Sequence, residues 1–349
     1  MTFIRTMLVS AGAVVCALSL TARDVAAQDS VKLTLGTQAN MSMSIGKSLQ
    51  EVFVPAVERH SNGRLTLDYH GNGALCSEQI CIEQMSLGQI DIATVSSGNV
   101  GSFGTTFDLI NLPFLFKDNE SAKRIFDDWL VKELQARAAK ELKMHMIALV
   151  PVGGFRNLVT VKGPVKEPKD LKGLKIRVTK SPTEFNLIKS WGAAPIPYDW
   201  TQLYEGLQSG VVDGMYLQDT FTVGGKFTEV IDHITQINGA YSAHPILMTL
   251  DRYQALPDWA REALDKAGQD LMDKGFEYDM QWQKESQAAM QNTVDVYVPN
   301  DAEMALWHKG AIAAWVSVRR TYDPALTRRI LEEQGQTALI EELVAAKAL

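Results

Sequence analysis

Apolar and polar residues alternate with period two across residues 31–36 (V-K-L-T-L-G), which predicts a strand with Val31, Leu33 and Leu35 on one face. Residues 43–60 change to helical spacing and stop at the turn sequence Ser61-Asn62-Gly63. A strand over 65–69, a helix over 77–87 and a strand over 90–96 follow, then a long helix over 121–142 and a strand over 146–150. Strand and helix alternating in this way predict an α/β fold with a mostly parallel sheet. Gly153-Gly154 interrupts the pattern and marks a crossing into a second α/β unit. That unit carries strands over 158–162, 174–179 and 211–216, a helix over 181–191 and a helical turn over 204–208. An apolar strand over 241–250 leads back. Helical periodicity then persists over 257–291, too long for one small lobe and long enough to span two. A strand over 294–298 and helix from 301 onward complete the pattern.

The predicted architecture is therefore a two-lobed α/β fold with a cleft between the lobes and one long helix spanning both. Residues 28–153 and about 243–282 are expected in the first lobe, 154–242 and about 283–349 in the second. A chain of this size exceeds one comfortable core. Two lobes that exchange chain several times leave a cleft that can close on a ligand by hinge motion.

Residues 1–27 stand outside this pattern. Arg5 supplies a positive flank, residues 7–20 form an apolar stretch too short for a membrane span, and Val25-Ala26-Ala27 offers small residues for cleavage. This predicts a secretory signal peptide cut after Ala27, and export to the periplasm. Cys16 follows Ala13-Val14-Val15, whose branched residue suits lipidation poorly. Later stretches all fall short of the ~20 apolar residues of a transmembrane helix. The net charge is −7, and removal of Arg5, Arg23 and Asp24 makes the exported chain one unit more negative. An acidic chain argues against nucleic acid or an anionic membrane surface as partner, while a local cleft can still attract an anion.

Cys76 and Cys81 remain after cleavage. Five residues apart is too far to bridge within a helix, but Ser77 reads as an N-cap, which puts Cys76 at N′ and Cys81 at N4, the positions that meet in a hydrophobic staple. A disulfide there would be a covalent staple on the chain's entry to the helix. The alternative is two free thiols packed as small apolar residues. A C-x4-C pair without nearby histidines is neither a C-x-x-C redox motif nor a zinc site.

Candidate chemistry concentrates in residues 170–214. Arg177 interrupts an apolar strand-like run, Ile176 to Val178, where a cation either points to solvent or meets an anion. Enzyme signatures are lacking: no G-x-S-x-G elbow, H-E-x-x-H helix or phosphate loop occurs, and the six histidines are scattered. No catalytic residue, cofactor or metal is expected.

A set of phrases runs in order along the chain: G-R-L-T-L-D-Y-H-G-N-G-A-L (63–75), L-G-Q-I-D-I-A-T-V-S-S (87–97), L-P-F-L-F-K-D (112–118), G-G-F-R-N-L-V-T (153–160), D-L-K-G-L-K-I-R-V (170–178), L-Y-E-G-L-Q-S-G-V-V-D-G (203–214) and K-F-T-E-V (226–230). With these the chain resembles the solute-binding proteins of tripartite ATP-independent periplasmic (TRAP) transporters, of the C4-dicarboxylate-binding type, over about residues 31–320. The resemblance implies that Arg177 pairs with the substrate carboxylate through both prongs of its guanidinium, with Arg156 assisting; such a fork fits a carboxylate geometrically. It also implies that loops at Gln38 and Ser96 reach the ligand from the first lobe.

Departures are equally informative. Where the family continues V-D-G with Gln-Glu-Asn, this chain has Met215-Tyr216-Leu217, so Leu217 replaces an asparagine that usually binds the carboxylate. The Glu-Trp of members that bind 2-oxoacids through sodium is also missing. Trp200 stands where a smaller aromatic residue is usual, and Gln202 replaces a glutamate. Trp200, Tyr216 and Leu217 together predict a flatter, more apolar pocket wall; the alternative is that Trp200 and Tyr216 are core aromatics. The Ser96 position carries no acid, which disfavours sialic acid and ectoine-like ligands. His244 is a candidate for the hinge side.

These readings predict a periplasmic solute-binding protein that captures a monocarboxylate with an apolar or aromatic body and delivers it to TRAP membrane subunits. A C4-dicarboxylate or sugar acid is the alternative within this class. Outside it stand a sensory module presenting ligand to a receptor, and an enzyme.

Overall fold

The computed structural model describes residues 30–349; the expected signal peptide lies outside the described residues. Among the described residues there are ten strands: β1 (Val31–Thr37), β2 (Leu65–His70), β3 (Ile92–Thr94), β4 (Met144–Thr160), β5 (Lys175–Val178), β6 (Ala194–Pro197), β7 (Gly214–Gln218), β8 (His233–Thr235), β9 (Tyr241–Thr249) and β10 (Asp295–Tyr297). Their order is β2-β1-β3-β9-β4-β7-β5-β6, with β8 pairing β4 and β10.

The sheet is mixed rather than mostly parallel. β1 pairs β2 and β3 in parallel, and β5 pairs β6 and β7 in parallel. The two parallel sets are joined by β4 and β9, which run antiparallel to each other and to their neighbours. A pair of long strands carrying the chain out and back must oppose one another, which short βαβ units do not require.

β4 is one strand where sequence spacing suggested two. It pairs β9 from Met144 to Pro151, breaks register, resumes at Phe155, then pairs β7 from Arg156 to Thr160. Gly153 and Gly154 both have positive φ, 74° and 66°, at the break, so the pair makes a bulge that redirects the strand without ending it. β6 (A-P-I-P) was hidden by its prolines, which an edge strand tolerates. The three-residue β8 was too short to show any period.

The helix Asp258–Met290 has 33 residues and is about 50 Å long at 1.5 Å per residue. Its buried face is rich in small residues (Ala260, Ala263, Ala267, Gly268, Gly275), which lets it lie close on β4. At Gly268 a Cβ would fall 2.4 Å from the Ile147 carbonyl. One turn beyond Gly275, buried Asp279 accepts from the Gly153 N–H at 2.5 Å and the Ser44 hydroxyl at 2.7 Å. The long helix thus clamps the bulge where the chain crosses.

Leu33, Leu35, Phe53, Ile92, Leu264 and Leu271 pack together on one face of the first parallel set. Ile82, Val95, Phe107 and Leu247 pack on the other. Around β5 and β7, Leu158, Ile176, Val178, Trp191 and Tyr216 form a further core with Trp307 and Ala311. The C-terminal segment divides between these: Trp315, Ile330, Leu331 and Leu343 join Ile82 and Phe107. The tail beyond Trp315 therefore packs with the first parallel set, not with β5–β7 as expected for all of 283–349, because its apolar face matches that core. Among the described residues no helix is long and apolar enough to cross a membrane.

Candidate functional site

β5 presents Arg177 at its C-terminal end. Ile176 and Val178 face the core with Trp191, so pleating turns Arg177 to the opposite face. It is 2% exposed. Its Nε donates to the Tyr198 carbonyl at 3.0 Å; the two terminal nitrogens have no hydrogen-bond partner and no carboxylate within salt-bridge reach among the described residues. Burial pushes the guanidinium down from its ordinary value to about 10; Arg156 adds to that, while Glu184, Glu78 and Asp199 oppose it. It stays cationic at neutral pH, so a buried charge with a free fork is left.

Arg156 follows the bulge on β4 and is equally buried. Its Nη1 donates to the Tyr216 carbonyl at 3.2 Å. Its Nε lies 3.1 Å from Glu184 Oε1 without the alignment of a hydrogen bond. Glu184 sits in the first turn of the helix Pro182–Ser190, where Ser181 caps its N–H and the Thr179 N–H donates to its carboxylate at 3.0 Å. So Arg156 has a carboxylate in ion-pair contact, while Arg177 feels Glu184, Glu78 and Asp199 only from beyond salt-bridge distance.

From the other half, the helix Glu78–Ser86 brings Glu78 inward. Glu78 is 5% exposed and has φ +43°, a conformation costly for a residue with a Cβ. Its carboxylate accepts from Asn99 Nδ2. Burial pushes it up; the Asn99 amide, the Arg177 charge and the Ser96 backbone act against that. Ser96 caps the short helix Ser97–Val100, and its hydroxyl is buried without a partner. An acid therefore does stand beside Ser96, delivered by another element, where the local sequence suggested none.

The halves meet tightly. Ser77 Oγ donates to Asp199 at 3.2 Å, the Lys180 N–H to Asn99 Oδ1 at 3.0 Å, and Ser42 Oγ to the Gly224 carbonyl at 2.7 Å. A Cβ on Gly98 would lie 2.5 Å from Thr179 Oγ1. The cleft is closed here. At its mouth a cavity of about 400 Å³ has Gln38, Asn40 and Asn72 on one wall and Trp200, Tyr204 and Phe227 on the other. Trp200 stands edge-on to Phe221 and Phe227, with centroids 5.5 and 5.2 Å apart.

Sequence candidates thus separate. Arg177, Arg156 and Ser96 come together around Glu78 and Glu184; Gln38 and Trp200 face each other at the mouth. Leu217 shares the sheet face of Arg177, since Arg177 pairs Met215 in register, but its side chain packs in the core. Tyr216 points the other way, against Trp191 at 6.0 Å, and meets the site through the carbonyl that holds Arg156. His244 on β9 is buried beside Phe221, with Nδ1 unpartnered; burial and the Arg156 charge push it down to about 3, so it is neutral. Cys76 and Cys81 are bonded, with Cys76 preceding the N-cap Ser77 and Cys81 at N4. Glu78, Asn99, Glu184 and Asp199 were not singled out: each is an ordinary polar residue near a helix start, and only pairing across the cleft gives it a role.

Two α/β halves closed over a buried, unpaired cation define a solute-binding protein. A family model described as bacterial extracellular solute-binding protein, family 7, matches residues 35–320, and the chain belongs to that family. A solute-binding protein from Verminephrobacter eiseniae is 30% identical over 246 residues, 70% of this chain and 72% of that one. A TRAP periplasmic solute binding protein from Sulfurospirillum deleyianum with bound succinate has a TM-score of 0.79 at 20% identity, covering 86% of this chain and 97% of that one. One from Haemophilus influenzae with bound L-gulonate has a TM-score of 0.81 at 20% identity, covering 86% and 99%. These likenesses show the two-lobed fold.

Proposed function

We propose that this chain is a periplasmic solute-binding protein that captures an organic acid and delivers it to the membrane subunits of a TRAP transporter, without chemical turnover. The observation that carries this reading is the guanidinium fork of Arg177, buried and with no carboxylate within salt-bridge reach among the described residues. Two parallel N–H donors in a closed site call for a carboxylate. Arg156, held by Glu184 and Tyr216, adds positive field behind it.

Closure follows from the same parts. An acid enters the open cleft and pairs with Arg177. The first lobe then swings on the Gly153-Gly154 bulge until Ser42, Ser77 and Asn99 reach their partners. A ligand shifts this equilibrium only through differential affinity for the closed form, and a fork completed on closing supplies it. We assign residues 30–153 and about 243–282 to the first lobe and 154–242 with about 283–314 to the second, the tail from Trp315 packing back on the first. Membrane subunits would read the closed outline.

For the rest of the ligand, the edge-on pair Trp200 and Phe227 on the cavity wall, with an apolar Leu217 where a polar contact is usual, favours a monocarboxylate with an apolar or aromatic body. A second reading, a hydroxylated sugar acid such as the L-gulonate of the Haemophilus relative, is favoured by Gln38, Asn40 and Asn72 opposite and by the Glu78 acceptor. Thermal-shift measurements with benzoate, phenylglyoxylate, succinate and L-gulonate separate them. A rise in Tm with the aromatic acids supports the first reading, and a rise with gulonate alone replaces it by the second. No response to any carboxylate overturns the assignment.

A further inference from the structure

Ser77 is the N-cap of the helix Glu78–Ser86, yet its side chain makes no capping bond. A cap of this kind normally stabilises its helix by accepting from an otherwise unpaired N–H of the first turn. The hydroxyl is turned across the cleft to Asp199 instead. The next residue, Glu78, is held at φ +43°. Its carboxylate accepts from Asn99, whose Oδ1 receives both Gln79 Nε2, at 2.7 Å, and the Lys180 N–H of the opposite half. Ser77, Glu78 and Gln79 all lie between Cys76 and Cys81, which are bonded. The bridge is buried, and Cys76 Sγ packs on Gly36 of β1, where a Cβ would come within 2.8 Å.

We propose that the Cys76–Cys81 bridge is a positioning device for closure, fixing the turn Ser77–Gln79 in the strained geometry from which the first half latches onto Asp199 and Lys180. Without it, a left-handed Glu78 and an uncapped Ser77 would relax toward an ordinary helix start. The turn would then have to be ordered anew at each closing, at a cost of about 1–2 kcal/mol per residue fixed. The inference concerns closure alone and does not depend on which acid is bound.

Amide hydrogen exchange on the full exported chain, run without ligand and again with saturating benzoate, phenylglyoxylate, succinate or L-gulonate to populate the closed form, tests it. Wild type is compared before and after reduction by a phosphine, with free thiols counted by mass, and a C76A/C81A variant is run alongside. The Lys180 amide, bonded to Asn99, should exchange roughly tenfold faster once the bridge is gone, as one ordered residue implies. The Thr179 amide, bonded to Glu184 within its own half, and the Leu35 amide of β1 should keep their protection. Unchanged Lys180 exchange in fully reduced protein overturns the proposal. So does equal loss at Leu35, which would make the bridge a prop for the first core. If no carboxylate binds but Lys180 responds alone, the functional reading falls and the latch stands.

Discussion

Replacing each arginine by methionine separates a ligand anchor from a structural ion pair. Arg177 is 2% exposed and its fork has no protein partner. Arg177→Met therefore removes a desolvated charge that has no direct ion pair, and loses one bond to the Tyr198 carbonyl and the longer-range attraction of Glu184, Glu78 and Asp199. These effects oppose, and folding stability without ligand should change by no more than about 1 kcal/mol. Binding is different. Truncating one partner of a buried charge pair costs about 2–5 kcal/mol, and full burial argues for the upper half, a loss of roughly a few hundredfold to a few thousandfold in affinity. Arg156→Met should do the reverse. It strands buried Glu184 without its counter-charge, a loss of about 3 kcal/mol in stability, the low end for a buried pair because the contact is poorly aligned. Calorimetric titration with the best acid of the panel and urea unfolding of each variant give the two axes. Wild-type affinity in Arg177→Met, or a larger stability loss there than in Arg156→Met, would refute the reasoning.

Affinity should also follow the Arg177 proton. With the free guanidinium at about 10, binding should be flat from pH 7 to 9 and weaken as pH rises through that value, as titrations across pH would reveal; weakening already at pH 8 contradicts it. Asp108 is fully buried, and burial pushes it up to about 7 from 3.8 against a smaller opposing contribution from the Thr321 hydroxyl. A raised folded value gives stability below the unfolded value that is lost as pH rises through the folded one. Asp108→Asn should therefore stabilise by about 2–4 kcal/mol at pH 8, shrinking toward zero near pH 4, measured by urea unfolding at both. Gly268→Ala gains about 1 kcal/mol of helix propensity but drives a methyl into the Ile147 carbonyl; overpacking against backbone should win, for a net loss of about 1–2 kcal/mol in urea unfolding.

Local pattern carries part of this fold and tertiary pairing the rest. The alternation in β1 and the Gly153-Gly154 crossing are visible in the chain because each is a short-range matter of pleat or φ. That one strand continues through the glycines is not, because continuity depends on β9 and β7 lying alongside. Arg177 was legible because an arginine between Ile176 and Val178 must leave the core. Tyr216 was not, because a residue's face follows from strand register, and one step of register exchanges the faces. Of Trp200, Tyr216 and Leu217, from which the apolar wall was read, Trp200 lines the cavity at the cleft mouth, beside Phe227, while Tyr216 and Leu217 pack in the cores.

The turn at residues 76–81 shows why the remaining site residues stayed hidden. Every local rule reads it as a stapled, capped helix start, and the helix and the staple are there. Only the cap departs, with Ser77 turned to Asp199 and Glu78 forced left-handed toward Arg177. A sequence locally consistent with one structure usually adopts it; where a residue gives up a nearby partner for a distant one, the distant contact must contribute more. Here both departures point into the same cleft. The violated rule, more than any motif, marks the first lobe's contribution to the site.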